Sequence, residues 1–497
     1  MRTSLKNFEL LAMGLLLSGQ IAFAQTAEKP AKPATTKPVV EQSWKKIPIP
    51  PLHAFKPVQP RRIQLSNGMV IFLQEDHELP FISGSILIRG GSRDEPADKV
   101  GLVGLYGQTW RTSGTAATNG DILDDRLEAK AAGLETGGGS ASTSLSWNSL
   151  KGDFDSVFAT AVDLLLHPAF SKDKLQLAKR QMEAGIARRN DDANGIAGRE
   201  AAQVVYGKNS PYARHAEYAT IEAVTLDDLK SWHDRTVVPN NIILAVSGDF
   251  DGATMEATLR KTFEPLQKGT PFETSKSEFL GPTPGVYFVN KTDINQSNVF
   301  IVGLGTERSN PDYYALNVMN EIFSGGFGSR LTQSVRTKLG LAYSVGGSYG
   351  SAYDHPGMFR VGAGTKSTNT VATTQAMLDE IGRLKTVPPT ADELRNAKEQ
   401  VLNSFIFNYD SRDKTLNEQV TLAFYGYPTD FLEKYKEGIE KVTAADVSRV
   451  ANKYIVPSKL AIVVVGNESE LTPPLSKLGK VTTLDITIPP PPGRASQ

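Results

Sequence analysis

Val224 to Gly248 reads VTLDDLKSWHDRTVVPNNIILAVSG, and Val442 to Gly466 reads VTAADVSRVANKYIVPSKLAIVVVG. The two stretches align without a gap at a shift of 218. Identical residues stand at 224/442, 225/443, 228/446, 238/456, 239/457, 246/464 and 248/466. Each copy predicts a capped helix, a Pro-marked turn and a buried strand. Thr225 and Thr443 suit the first-turn N–H groups, and Asp228 and Asp446 suit the positive end of the helix. Ile242–Ser247 and Leu460–Val465 are β-rich apolar runs. Seven coincidences in one helix–turn–strand context predict a duplicated body.

Working outward, each copy extends into a mixed α and β half. In the first, 69–74 and 82–89 read as strands, and 157–166 and 172–189 as helices. In the second, 286–289, 298–303 and 358–364 read as strands. Asn310 with Pro311, and Thr390 with Glu393, read as helix starts. Strands come in adjacent runs followed by helices. The expected class is therefore α+β, with two homologous halves, each a mostly antiparallel sheet packed with helices. The halves are placed at 61–268 and 285–472, with a polar linker at 269–284.

The ends differ from the body. Arg2 and Lys6, the apolar run Leu10 to Phe23, and Ala22-Phe23-Ala24 read as a signal peptide over 1–24. Residues 25–60 hold many Pro, Lys, Ala and Thr and read as an extended tether. Residues 473–497, with Pro489 to Pro492, read as an extended tail. The expected location is periplasmic or otherwise exported, with no transmembrane anchor.

Composition narrows the function. The 497 residues are 40% hydrophobic and 22% charged, with zero formal net charge. Residues 1–60 hold eight Lys/Arg and three Asp/Glu, which leaves the rest mildly acidic. That argues against nucleic acid, which needs a concentrated basic face. There is no Cys, so disulfides and thiolate metal sites are excluded. The six histidines, 53, 77, 167, 215, 233 and 355, include no pair three or four apart, so no helix face offers zinc a His pair. No G-x-S-x-G elbow is present. Gly137 to Ser144 lacks the Lys of a phosphate loop. It reads instead as a turn into a polar strand, 141–147, that suits a sheet edge. Ser140, Ala141, Ser142 and Thr143 are the expected peptide contacts there, because an edge offers unpaired backbone groups.

The most specific segment is GGFGSRLTQSVRTKLGLAYSVGGSY, Gly325 to Tyr349. It predicts a Gly-rich loop, a short helix from Ser329 to about Lys338, a stop at Gly340 and a strand from Ala342. Such a geometry can aim the Arg336 guanidinium and the Tyr343 phenol at one peptide carbonyl or oxyanion. Taken alone, the residues are better read as a surface helix charge at Arg336 and a packed edge residue at Tyr343.

Ser329-Arg330-Leu331, Arg336 and Gly340 to Val345 resemble the second-half signature of pitrilysin/insulinase-type peptidases. The resemblance spans roughly residues 60–470. In that family an Arg and a Tyr seven residues apart act on substrate from the half opposite the zinc, and Arg336 and Tyr343 have that spacing. The family holds zinc with an inverted H-x-x-E-H on the first helix of the first half. The matching segment here is Gly101 to Trp110, followed by Gly114-Thr115. The His, Glu and His positions fall on Gly104, Gly107 and Gln108. The third ligand position falls near Ala184 or Gly185, with Glu183 beside it. Gly101, Gly104 and Gly107 also read as a groove for close packing.

The resemblance therefore implies a zinc-less subunit, without a cofactor of its own and inactive alone. It implies a zinc-bearing homologous partner, as in the mitochondrial processing peptidase and certain two-chain bacterial envelope peptidases, with Arg336 and Tyr343 acting in trans on an unfolded peptide. The competing readings are a purely structural subunit, as in respiratory complexes, and an independent peptide-binding or chaperone-like clamp, alone or as a homodimer.

Overall fold

The structure is a computed structural model that describes residues 56–274 and 276–493. The expected signal peptide and nearly all of the expected tether lie outside the described residues. Fourteen strands are described: β1 Arg61–Gln64, β2 Val70–Glu75, β3 Phe81–Arg89, β4 Gly133–Gly138, β5 Ser142–Leu150, β6 Ile242–Gly248, β7 Gly285–Asn290, β8 Gln296–Leu304, β9 Thr306–Glu307, β10 Ala342–Tyr349, β11 Ser351–Ala352, β12 Met358–Lys366, β13 Ala461–Gly466 and β14 Val481–Thr483.

They form two six-stranded sheets, in the orders β1-β2-β6-β3-β5-β4 and β10-β12-β8-β13-β7-β14. Removing β1 and β14 leaves one five-strand pattern used twice, with β2, β6, β3, β5, β4 answered by β7, β13, β8, β12, β10. The single parallel pair of this pattern recurs as β2·β6 and β7·β13, and the other pairs are antiparallel. The sixth strands differ: β1 runs antiparallel to β2, and β14 parallel to β7.

The repeated motif folds the same way in both halves. Helices Leu226–Thr236 and Ala444–Tyr454 each open on a capping box, Thr225 with Asp228 and Thr443 with Asp446. Asp228 N–H and Asp446 N–H each donate to the Thr hydroxyl at 3.2 Å. Each carboxylate in turn accepts the Thr N–H, satisfying two donors that the helix cannot use. The strands that follow, β6 and β13, sit in mid-sheet and are buried almost throughout, which is why their apolar runs do not alternate.

One face of each sheet packs on helices of its own half. The other face takes a helix from the opposite half. Ile196, Ala197, Ala201 and Val205 of Ala193–Tyr206 pack on Phe300, Val302, Val463 and Val465 of the second sheet. Leu416, Val420 and Phe424 of Arg412–Tyr425 pack on Phe72, Ile243 and Ala245 of the first. The two exchanged helices begin at 193 and 412 and end at 206 and 425, so they repeat within one residue of the spacing of the duplication. Each buried Leu, Val or Phe contributes about 1.5–3 kcal/mol, and here that energy joins the halves.

Two sequence expectations shift. The helix expected at Asn310-Pro311 begins at Tyr313; Asn310 instead accepts the Asp312 N–H at 2.9 Å, forming a turn ahead of it. The expected extended tail also contributes a strand. β14 joins the sheet, and Leu484 and Ile486 pack beside the exchanged helix of the first half. No helix among the described residues is long and apolar enough to cross a membrane.

Candidate functional site

The helix Leu102–Ser113 carries the degenerate zinc positions. Gly101, just before it, adopts φ 108°, a left-handed conformation natural to glycine. The Glu95 carboxylate accepts N–H groups from Gly101 at 2.9 Å and Val103 at 3.0 Å. Burial raises the Glu95 pKa, opposed by these two bonds. The inner face buries Tyr106 and Trp110 against Phe170 and His233. The Tyr106 hydroxyl lies 2.9 Å from His233 Nδ1, and burial lowers the His233 pKa to about 4.

The other side carries Gly104, Gly107 and Gln108. A Cβ on Gly107 would stand 2.5 Å from Gly138 N and 2.6 Å from Gly137 C. The helix therefore lies directly on the backbone of edge strand β4. Thr136 Oγ1 donates to Gly107 O at 2.6 Å, and Arg111 Nε donates to Leu134 O at 2.6 Å, fixing this approach. A Cβ on Gly104 would meet only the Met182 methyl, at 3.0 Å, and Gly185 faces open space. The Gln108 amide donates to Gln181 on the facing helix Lys172–Ala187. Two amides thus meet where the family pattern places zinc ligands. Among the described residues no group of three or more His, Cys, Asp or Glu could hold a metal ion. The pair can exchange hydrogen bonds but offers neither a base nor a hard anionic ligand.

The expected edge at Ser140–Thr143 is corrected. β5 lies between β3 and β4, and the edge is β4. Gly90, Ser92 and Arg93 donate N–H groups to the carbonyls of Ala141, Gly139 and Ser140 at 3.2, 2.9 and 3.2 Å. Ser142 and Thr143 are paired on β3 and β4, and Thr143 is fully buried. The polar alternation reflects the more exposed face of this strand, on which Ser142, Ser144, Ser146 and Asn148 lie, not a free edge.

The second-half segment is built on two irregularities. Its loop is anchored by Arg330, whose guanidinium grips Glu393 at 2.7 and 2.8 Å and donates to Val387 O and Pro388 O. Glu393 belongs to the capping box of helix Ala391–Ile406. Arg330 and Thr390 hold its pKa down at about 2. In the sequence Arg330 stands only within the signature segment, and the capping box at Thr390 is the one local clue to its partner Glu393.

The helix after the loop is wound as a π-helix over Thr332–Lys338, a form that concentrates at functional positions. Arg336 sits on its exposed side, its guanidinium 5.2 Å from the Phe327 ring centroid. Phe327 is itself 73% exposed. Tyr343 occupies a β-bulge: Ala342 pairs with Thr365 and Ser344 with Gly364, leaving Tyr343 as the extra residue. Bulges re-aim side chains, and Tyr343 is 54% exposed beside a cleft of about 240 Å³ shared with Lys366, Ser367 and Glu470. Arg336 and Tyr343 thus flank one exposed segment, although no hydrogen bond or ring contact joins them.

A larger cavity, about 690 Å³, runs beside the same strand. It is walled by Ser344–Ser348 and Arg360 of the second half and by Asn194, Gly195 and Gly198 of the exchanged helix. No sequence signal pointed to Arg360 or Asn194, because the helix exchange that unites them is long-range.

The structure thus joins two repeated halves, a first helix without zinc-ligating side chains at 104, 107 and 108, and an exposed Arg/Tyr segment in the second half. Residues 223–401 match the model of the peptidase M16 inactive domain. An uncharacterized zinc protease of Rickettsia felis is 24% identical over 402 residues, 78% of this chain and 93% of that protein. The non-peptidase homolog YmxG of Helicobacter pylori is 23% identical over 404 residues, 80% and 92% of the two chains. Subunit alpha-2 of the mitochondrial-processing peptidase of Dictyostelium discoideum is 23% identical over 428 residues, 82% and 91% of the two. In fold, the chain is similar to the crystal structure of a peptidase M16 inactive domain from Pseudomonas fluorescens. The TM-score is 0.74 at 24% identity, covering 82% of this chain and 98% of that one.

Proposed function

We propose that this chain is the non-catalytic, substrate-holding subunit of an exported two-chain metallopeptidase, complementing a homologous partner that carries zinc. The observation that carries the reading is the contrast between the two halves. Gly107, at the position of the family's general base, lies on the β4 backbone where a side chain has no room. Arg336 and Tyr343 are instead exposed, on a π-helix and a β-bulge. A peptide lying on the partner would meet the guanidinium and phenol as carbonyl and oxyanion donors. The cavity beside β10 would hold the remainder of the peptide. Similarity to a processing-peptidase subunit supports an assembly of this kind, and the Arg2–Ala24 pattern supports export.

The test is reconstitution. The purified chain is mixed with a homologous chain bearing H-x-x-E-H, and chelator-sensitive cleavage of an unfolded peptide is followed. Stimulation by the wild-type chain is expected. Stoichiometric zinc and cleavage by this chain alone would overturn the reading. The alternative, a peptide-binding clamp without a proteolytic role, predicts peptide binding by the isolated chain and no stimulation of any partner.

A further inference from the structure

A second cavity, at the seam of the two halves, is not used by the peptide-holding reading. It measures about 530 Å³ and is lined by Arg89, Arg93, Lys276, Asp354, Phe279 and Tyr425, among others. Arg89 ends β3 and is half-buried. Its guanidinium lies 4.6 Å from the Phe424 ring centroid, and no carboxylate pairs with it among the described residues. Arg93 is more deeply placed, its side chain 7% exposed. Its Nη1 meets Asp354 at 2.7 Å, but its Nε is buried without a hydrogen-bond partner, 3.8 Å from Asp94. Asp354 is also engaged by His355 at 2.9 Å. Burial, and then the charge of Arg93, lower the Arg89 pKa. Lys276, from the linker, adds a further cation at the wall.

Asp354 neutralises Arg93, which leaves Arg89 as the guanidinium at the cavity wall without a carboxylate partner among the described residues. The guanidinium fork matches the planar edge of a carboxylate or the face of a phosphate. Phe279 and Tyr425 supply ring faces beside the charges. We propose that this cavity binds a small organic anion, a single carboxylate or phosphate group on an aromatic body, held through Arg89. Glu307 also stands in the wall and would repel a second anionic group, so the site suits one such group.

The site is independent of any peptidase partner and is tested on the full chain alone. Benzoate, phenyl phosphate and inorganic phosphate are titrated by calorimetry. Saturable one-site binding of an aryl anion is expected, tighter than inorganic phosphate, and the preferred aryl probe identifies the anionic group. Arg89→Gln weakens binding about tenfold or more, with the melting temperature monitoring the fold. Arg89→Lys, which keeps charge but loses the fork, weakens it as well. Phe279→Leu weakens the aryl probes but not inorganic phosphate. Absence of saturable binding by all three probes, or unchanged affinity in a folded Arg89→Gln protein, overturns the proposal.

Discussion

Gly107 of the opening helix rests on Gly138 of the edge strand so closely that a Cβ at 107 would stand 2.5 Å from the Gly138 nitrogen. The obstacle is backbone, which cannot swing aside like the end of a side chain. Gly107→Ala is therefore expected to destabilise the chain by about 1–3 kcal/mol, as overpacking does. Gly104→Ala, which meets only a flexible methionine end inside the helix, is expected to be neutral or to stabilise by up to about 1 kcal/mol, because Ala is favoured over Gly in a helix interior. Urea unfolding of both variants checks the difference.

The same contact bears on rebuilding a metal site. The triple change Gly104→His, Gly107→Glu, Gln108→His restores the family's ligand and base types but forces a Glu into the strand. The variant is expected to melt below the wild type and to hold no stoichiometric zinc by atomic absorption after dialysis. Retained zinc with an unchanged melting temperature would show that β4 yields at no cost.

In the reconstituted pair, Arg336→Ala and Tyr343→Phe are each expected to slow peptide cleavage by about 10²–10³, the usual effect of losing one oxyanion donor. Both residues are exposed and unburdened by core packing, so assembly measured by sedimentation should not change. An unaltered rate in both variants would remove these residues from the chemistry.

Glu393, gripped by Arg330, has its pKa depressed from 4.5 to about 2. Its contribution is therefore present above pH 4.5 and is lost as pH falls toward 2. The carboxylate is partly exposed, which discounts the effect to about 1–2 kcal/mol. Glu393→Gln should lower stability by that amount at pH 7 and flatten the acid limb between pH 4.5 and 2 in denaturant titrations.

His233 moves in the same direction for a different reason. Buried against Tyr106 and Trp110, it stays neutral down to about pH 4, while the unfolded chain protonates it near 6.5. Stability is thus complete above pH 6.5 and declines between 6.5 and 4, by up to about 3 kcal/mol. His233→Gln should abolish the decline in that window. A wild-type protein equally stable at pH 4.5 and 7 would exclude the buried neutral histidine.

Much of the architecture is local enough to be read from the chain. The pairs Thr225/Asp228 and Thr443/Asp446 specify helix starts through contacts three residues apart, and the apolar runs after Pro239 and Pro457 specify buried strands. The Arg336/Tyr343 spacing is likewise a short-range pattern. Sheet position is different. The stretch 141–147 reads as an edge because its outward residues are polar, yet the strand it forms, Ser142–Leu150, lies inside the sheet. Alternation reports which way side chains face, not how many neighbours a strand has.

The sequence by itself determined the duplication, the α+β class and the loss of zinc-ligand types at 104, 107 and 108, because each depends on residue identity and near spacing. Only the tertiary structure decided the helix exchange between halves, the grip of Arg330 on Glu393 and the bulge that turns Tyr343 outward. It alone decided the meeting of Arg89, Arg93 and Tyr425 around one cavity. These depend on contacts between residues tens to hundreds of positions apart, which close only when both sheets have formed and buried their apolar faces against each other's helices.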